Sequence, residues 1–442
     1  MTGVTQKLTG CQNGSTVLAM GATLMPAATR QITYEDLYAR WEKGNWQATE
    51  IDFTQDKIDW EENMTPEQKR AALWLFVLFF HGEDSVTDNL SPYIDAAPLE
   101  EQKYFLTTQQ VDEARHAIFF KRFMAEVVGL GEGSIGGGLR ATESQLSWGH
   151  RKLFGHLDEV ADRLRKDRSR LNLARSVTLY HIIVEGLLAQ PAQHMIDDGL
   201  ARLDVLPGFR AGMKNVSLDE QRHIAFGVRL LADLHEEDPD GVRVAIVDKF
   251  REVLPWTTAV ALPPNRDWDY VDPLGFSIVD LFEEGARLSE QRLRAIGLDI
   301  DNLPRFPLPL DLPPRERGAR GVTLMQAGMI GPKAGPASRD PEAVEILFDT
   351  LRRGADGNAA PAGTTIQWDF PDADPWFLRL DNGATSIQQG RAPKPDLTLH
   401  VGFDDWVDVM AGREDPRKLM LTRRMRPKGS VRTLMRMGKI FG

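Results

Sequence analysis

Cysteine is almost absent from this chain, whose 442 residues include one, Cys11. A single cysteine excludes an internal disulfide, and its polar N-terminal surroundings do not favour thiol chemistry. Net positive charge is also lacking, because the formal charge is −11. Surfaces that bind nucleic acid are normally basic, so we expect no nucleic-acid partner. The scarcity of cysteine fits a reducing compartment, and we predict a cytoplasmic protein.

Long hydrophobic runs are missing too. The most apolar stretch, Ala71–Phe80, is too short to cross a bilayer and continues into charged residues. Residues 1–30 lack the basic start and dense apolar core of a signal peptide, and we predict a flexible tail there. The glycine-rich stretch Gly129–Gly138 has no Gly-Lys-Ser/Thr ending. We therefore assign it no nucleotide.

Helical periodicity dominates residues 31–300, which we predict to form a mainly α domain. One of its helices opens with Thr65 as cap, Pro66 in the first turn and Gln68 completing a capping box. Proline and glycine accumulate over residues 301–340, which we interpret as a linker. Beyond the linker, alternating stretches are typical of strands between helical segments. Residues 341–442 are therefore predicted to form a second, smaller α+β domain.

A short motif, Asp-Glu-x-Arg-His, occurs at residues 112–116 and again at 219–223. A Glu and a His three apart on a helix project from the same face, so they can bind one metal ion together. Glu83 and Glu185 lie in apolar helical surroundings, where an unpaired charge is costly, and they complete the set. The predicted metal ligands are Glu83, Glu113, His116, Glu185, Glu220 and His223.

Spacing and charge both favour this ligand set. The first two glutamates are 30 residues apart and the last two are 35, and each interval suits a pair of antiparallel helices. Two such pairs form a di-metal carboxylate bundle, in which four carboxylates neutralise two divalent cations. Asp112 and Asp219 are natural acceptors for the outer imidazole N–H groups. A lone Glu-x-x-His is usually surface charge, so the prediction depends on the duplication.

Over most of residues 33–300 the chain resembles the ribonucleotide reductase small-subunit superfamily. Within it the chain is most similar to the small-subunit-like ligand-binding oxidases. Glu83 stands where many reductase subunits have aspartate, and Val86 and Tyr180 match the pair that these oxidases join covalently. Phe120, four past His116, replaces the tyrosine of radical-storing reductases, although manganese–iron reductases also have Phe there. Ordinary core packing is the alternative interpretation of Val86 and Tyr180.

This resemblance implies a ferritin-like helical bundle that binds Mn and Fe, or two Fe, and reacts with O2. It also implies a long-chain fatty acid or another lipid beside the metals, Tyr180 and Val86 as the reacting side chains, and a homodimer. The expected function is a di-metal oxidase acting on or beside the lipid. Two alternatives stay open. One is the small (beta) subunit of a ribonucleotide-diphosphate reductase, which needs a large subunit, and the other is a non-enzymatic lipid carrier with a structural metal site.

The end of the chain, from Leu347 to Phe441, resembles a sterol-carrier-protein type lipid-binding domain. Its most specific match is the Ala-Pro-Lys-Pro-Asp run at residues 392–396, and it departs from the family at residues 421–423, where a Gln-Gly pair is usual. From Arg417 onward there are nine basic residues and no acidic one. A solvated helix over a small core explains this pattern, and peripheral contact with a membrane is the functional alternative.

Overall fold

The structure is a computed structural model that describes residues 32–441. The predicted tail of residues 1–30, with Cys11, lies outside the described residues. As expected, the fold is mainly α, with a helical bundle followed by a smaller domain that contains a β-sheet. Across residues 32–441, no helix combines the length and the apolar character that a membrane span requires.

The bundle is built from helices of very different length around two apolar cores. Its α-helices are α1 (Tyr34–Lys43), α2 (Thr54–Ile58), α3 (Pro66–Asn89), α4 (Ser91–Ala96), α5 (Glu100–Phe123), α6 (Ile135–Thr142), α7 (Trp148–Lys166), α8 (Arg170–Val177), α9 (Gln190–Leu203), α10 (Pro207–Glu237), α11 (Pro239–Val260) and α12 (Ile278–Ile296). Wider π-helical turns occupy Asp59–Asn63, Met124–Val128 and Thr178–Ala189. Long helices α3, α5 and α10 and the last π segment surround one buried polar centre.

The start of α3 confirms the predicted capping box. The Thr65 side chain accepts from the backbone N–H of Gln68, and the Gln68 side chain accepts from that of Thr65. Pro66 occupies the first turn, where its missing N–H has no helical partner to lose. Trp74, Phe76 and other apolar residues of α3 are buried, and these buried positions continue along the helix to Glu83, the first predicted ligand.

The helical stretch that carries Glu185 is interrupted rather than continuous. In the structure α8 ends at Val177, the π segment follows, and α9 begins at Gln190 with Pro191 in its first turn. Proline is tolerated there because the first N–H groups of a helix are unpaired anyway. The wide π turns decide which side chains of this segment face the bundle interior.

The predicted linker of residues 301–340 is not free of secondary structure. It contains helix α13 (Pro314–Gln326), which we did not predict because proline and glycine dominate the surrounding composition. Two prolines at its start fix helical φ angles, and Val322 and Met325 are buried in a bundle core. Leu324 on the same helix belongs to the core of the C-terminal domain. The helix therefore packs against both domains instead of acting as a flexible tether.

The C-terminal domain places helices against a five-stranded sheet within the described residues, in the order β3-β2-β1-β4-β5. Only the β1–β4 pair is parallel. The elements are α14 (Pro341–Gly354), β1 (Thr364–Asp369), β2 (Trp376–Asp381), β3 (Ala384–Gln389), β4 (Leu397–Val401), α15 (Phe403–Met410), α16 (Pro416–Leu421), β5 (Met425–Gly429) and α17 (Val431–Phe441). Strand β5 was not predicted, because it is a short edge strand containing Pro427.

Candidate metal centre

The structure brings all six predicted ligands into one buried cluster. Glu83 lies on α3, Glu185 on the last π segment, and the two Glu-x-x-His pairs on α5 and α10. All six residues are buried, and each is at most 6% exposed. Their potential ligand atoms form two groups, each within 4.8 Å of one another. The groups are Glu83, Glu113, His116 and Glu220, and Glu113, Glu185, Glu220 and His223.

The first group is centred on the Nδ1 atom of His116. This atom lies 3.2 Å from an oxygen of Glu83, 3.3 Å from Oε2 of Glu113 and 3.5 Å from Oε1 of Glu220. Nitrogen and oxygen ligands of small divalent cations bind at about 2.0–2.2 Å, so atoms separated in this way can share one ion. The first motif, together with Glu83, therefore outlines one ion position.

The second group repeats this arrangement around Nδ1 of His223. That atom lies 3.2 Å from Oε1 of Glu113, 3.5 Å from an oxygen of Glu185 and 3.6 Å from Oε2 of Glu220. Glu113 and Glu220 thus direct one oxygen at each histidine. This is the geometry of two carboxylates that bridge two adjacent ions.

The outer ring nitrogen of each histidine contacts the aspartate of the opposite motif. The Nε2 atom of His116 lies 3.1 Å from Asp219, and Nε2 of His223 lies 3.1 Å from Asp112. These contacts confirm the predicted role of both aspartates and show that they cross between the motifs. Because each aspartate binds the outer nitrogen, it orients Nδ1 of that ring toward the ion position.

The aspartates are themselves fixed by cations and indoles. Arg115 pairs with Asp112, and Arg222 pairs with both aspartates, at 3.2 Å from Asp112 and 2.5 Å from Asp219. Two arginines therefore neutralise two aspartates, which leaves the four glutamates for the metal ions. Two indole N–H groups donate to the aspartates at 2.8 Å, from Trp41 to Asp112 and from Trp46 to Asp219.

The residues fit two cations because the inner cluster is incomplete without them. Oε2 of Glu113, Glu185 and Glu220 has no hydrogen-bond donor among the described residues. Burial raises the pKa of Glu83 to about 8, and burial raises the pKa of Glu185 and of Glu220 as well. Four carboxylates packed this closely repel one another in a low dielectric, and two divalent ions would remove that repulsion.

Tyr180 and Val86 lie where the cluster meets an apolar pocket, and both line it. The Tyr180 hydroxyl donates to Oε1 of Glu113 at 2.6 Å. Burial and the neighbouring carboxylates raise the pKa of Tyr180 well above its usual value, so it stays a phenol. Apart from the four glutamates and Tyr180, the lining is apolar or aromatic, with His150 and Trp74 as its remaining polar members.

Gln109 is a site residue that the sequence did not reveal. It is fully buried one turn before Glu113, and its amide nitrogen donates to Glu185 at 2.8 Å and to the Tyr180 oxygen at 3.0 Å. Its carbonyl oxygen lies 3.1 Å from Nε2 of His181. The position i−4 to a motif glutamate was the available signal. His181 and His81 lie outside both ligand groups.

Comparisons with known proteins agree with this geometry. The family model for ribonucleotide reductase, small chain, matches residues 28–255, and that of the SCP-2 sterol transfer family matches residues 348–442. An R2-like ligand-binding oxidase from Sulfolobus acidocaldarius is 26% identical, with a TM-score of 0.51 over 64% of this chain and 93% of its own. A mutant R2-like ligand-binding oxidase with an anaerobically reconstituted Mn/Fe cofactor is 26% identical, with a TM-score of 0.51 over 60% of this chain and 94% of its own.

A second such mutant with an anaerobically reconstituted Mn/Fe cofactor is 27% identical, with a TM-score of 0.50 over 60% of this chain and 93% of its own. These matches confirm the fold class expected from the sequence. They also confirm the resemblance of the helical region to the reductase small-subunit superfamily and of the C-terminal region to sterol carrier proteins. The carboxylate and histidine cluster fits a di-metal site, and the similar structures support an oxidoreductase. The chain belongs to the ribonucleotide reductase small chain family and carries an SCP-2 sterol transfer domain at its C-terminal end.

Proposed function

We propose that this protein is a di-metal oxidase that uses O2 on, or beside, a bound long-chain lipid. The observation that carries the proposal is the position of the pocket. One pocket is lined both by the glutamates of the predicted ligand cluster and by many apolar side chains. A carrier with a purely structural metal would not need its metal ligands exposed to the cavity that holds the lipid.

The six residues would hold Mn and Fe, or two Fe. Bound there, such a pair supplies the electrons and the Lewis acidity that O2 reduction requires. Glu113 and Glu220 each direct one oxygen toward His116 and one toward His223, so they would hold two ions next to each other. Oxygen and imidazole ligands accept several divalent metals, and the choice of Mn and Fe follows the Mn/Fe cofactors of the similar structures.

Tyr180 and Val86 are the proposed reacting side chains of the protein. Tyr180 presents its O–H to Glu113, which can accept the phenolic proton. Val86 is buried and lies one turn beyond Glu83 on α3, on the same helix face. Breaking the Tyr180 O–H bond and a C–H bond of Val86, and forming one O–C bond, would release two protons and two electrons, which convert one O2 to H2O2.

The lipid's polar group would lie at the metal end of the pocket. No lysine or arginine is among the residues that line the cavity. A carboxylate in this apolar space therefore has one place where its charge is compensated, which is beside the two cations. The remaining wall, with residues such as Leu78, Val184 and Leu281, suits an acyl chain.

The C-terminal domain is proposed to supply, receive or shield that lipid. Its core contains Trp368, Trp376 and Trp406, each at most 8% exposed, and none of their indole N–H groups has an acceptor within residues 32–441. A buried N–H without an acceptor is costly, so a lipid carbonyl or hydroxyl is a fitting partner. The likeness to the SCP-2 sterol transfer family supports the same chemistry.

The two domains also contact each other through α13 and the segment after it. Arg266 of the bundle donates to the carbonyls of Met325 and Pro332. Arg413 of the C-terminal domain donates to the carbonyls of Gly328 and Gly331. We include in the proposal the boundaries 31–300 and 341–442, a homodimer and a cytoplasmic location.

Peptide mass mapping tests the oxidase directly. Protein produced with Mn and Fe in air is digested and searched for one species joining the Val86 and Tyr180 peptides, two hydrogens lighter than their sum. We expect this species in the wild type and its loss in Tyr180→Phe. Tyr93→Phe is the matched control, because Tyr93 is equally buried and its ring centre lies 5.7 Å from that of Tyr180.

Unlinked peptides from protein that holds two redox metals would contradict this proposal. The small subunit of a ribonucleotide-diphosphate reductase would then be the better interpretation, since the family match includes those proteins. That alternative predicts deoxynucleotide formation when a large subunit is added, and the oxidase predicts none.

A further inference from the structure

The large apolar side chains that are most exposed in residues 32–441 lie in one short segment of the C-terminal domain. Leu421 is 85% exposed, Met435 81% and Val431 69%, and no other large apolar residue of the described chain exceeds 59%. Single exposed apolar residues are ordinary on protein surfaces. Two of the three, Val431 and Met435, lie on one face of the same helix, and such a pair indicates a surface that is covered in use.

Helix α17 shows why two of these residues point outward. Val431 and Met435 are one turn apart and share a helix face. Thr433 and Ile440 are buried on the opposite face, against the sheet and its core. Lys439 lies next to Met435 on the outer face and is exposed. The helix thus combines an inner face that holds the domain together with an outer face of aliphatic and cationic side chains.

The charge of this segment is unusual for the chain. Nine basic and no acidic residues follow Asp415, in a protein whose net charge is −11. Lys418 and Arg424 form ion pairs with carboxylates of neighbouring segments. The other seven basic side chains have no carboxylate partner in the part of the chain that the structure describes. These are Arg417, Arg423, Arg426, Lys428, Arg432, Arg436 and Lys439.

We propose that the outer face of α17 is a docking face for an anionic lipid bilayer. The aliphatic side chains of Val431 and Met435 enter the boundary between head groups and acyl chains, while Arg432, Arg436 and Lys439 contact lipid phosphates and carboxylates. Charge complementarity excludes a neutral or cationic surface. A nucleic acid would use the cations but would leave the protruding aliphatic side chains in water, so the bilayer accounts for both features. The face deepens the proposed lipid exchange and does not require the oxidase chemistry.

Vesicle flotation with the full chain tests this inference. Phosphatidylcholine vesicles with and without phosphatidylserine are mixed with wild-type protein and with two double variants, Val431→Ser/Met435→Ser and Arg432→Gln/Lys439→Gln. We expect wild type to float only with the anionic vesicles. Each basic residue near the surface changes affinity by about fivefold, so the charge variant should bind roughly 25-fold more weakly. The aliphatic variant should also lose most binding.

A matched control distinguishes binding through this face from nonspecific binding to vesicles. Tyr104→Ser/Lys166→Gln removes an exposed apolar and an exposed basic side chain from the bundle, and it should bind like wild type. Equal binding of the aliphatic variant and wild type would overturn the proposal, as would equal flotation with neutral vesicles. Tight binding to a single-stranded oligonucleotide that the aliphatic variant retains would assign the face to nucleic acid instead. Loss of the Val86–Tyr180 link with intact flotation would count against the oxidase alone.

Discussion

The two halves of the candidate metal centre contain the same motif, but the helices and residues around the motif differ. In the first half, Glu83 lies on the regular helix α3, and Phe120 follows four residues after the histidine. In the second half, Glu185 lies on a π segment, and Gly227 takes the position equivalent to Phe120. Four residues before the motif glutamate, the first half has the polar Gln109 and the second the apolar Val216.

The glutamates and aspartates of the two motifs are therefore arranged symmetrically, whereas the residues around them differ between the two halves. Gln109 donates to Glu185, a ligand of the second position, and there is no similar donor to Glu83 among the described residues. The two ion positions are therefore chemically inequivalent, which a mixed pair of Mn and Fe requires. Three sets of substitutions test the glutamates shared by both ligand groups, the crossed aspartates and the space beside Gly227.

Removing a shared ligand should have the largest effect. Glu113 belongs to both ligand groups and Glu83 to one. We expect Glu113→Ala to lose both ions, and Glu83→Ala to keep about one of the two. Metal content per chain, measured by elemental mass spectrometry after reconstitution and desalting, checks this difference. Glu101→Ala, an exposed residue on the same helix as Glu113, should keep both ions. Equal metal loss in the first two variants would contradict the bridging geometry.

Breaking one aspartate contact should weaken the opposite half. Asp112→Asn removes the carboxylate that holds His223, although Asp112 lies on the helix of His116. We expect metal affinity at the second position to fall about 10–100-fold while the first changes less, and Asp219→Asn should do the reverse. Anomalous diffraction from Mn-soaked crystals gives the occupancy at each position. Reduced occupancy beside the histidine of the same motif would disprove the crossed arrangement.

Filling the space beside Gly227 should have the smallest effect, which is a loss of stability. A Cβ atom at Gly227 would lie 2.3 Å from Cβ of His181, so Gly227→Ala forces the π segment to move. We expect the free energy of unfolding to fall by about 1–3 kcal/mol, measured by denaturant titration of the metal-free protein. Gly155→Ala is the control, because nothing lies within 4 Å of its added Cβ and alanine favours a helix. Equal stability of the two variants would show that His181 is not tightly packed.

The clustering of the six predicted ligands could be anticipated because it depends on local spacing. A Glu and a His three apart share a helix face, and the duplication distinguishes them from surface charge. The capping box at Thr65 was predictable for the same local reason. Gln109 was not, because glutamine is common on helices and its partners Tyr180 and Glu185 are distant in sequence.

Other features depend on tertiary packing. The π segment of residues 178–189 has an ordinary apolar composition, and the space that Gly227 leaves for His181 is visible only once α10 is in place. Helix α13 was hidden by its proline-rich and glycine-rich surroundings, although burial of Val322 and Met325 stabilises it. Composition describes the average of a segment, whereas the packing of a few side chains decides whether it is ordered.

The most direct test of the central claim is oxygen uptake by the reduced, metal-loaded protein. Chains carrying two Fe(II), or Mn(II) and Fe(II), are mixed with a known amount of O2, and its consumption is followed with an electrode. The account predicts rapid uptake of about one O2 per metal pair, and none in Glu113→Ala. No uptake by protein shown to hold both ions would contradict the oxidase and support a lipid carrier with a structural metal site.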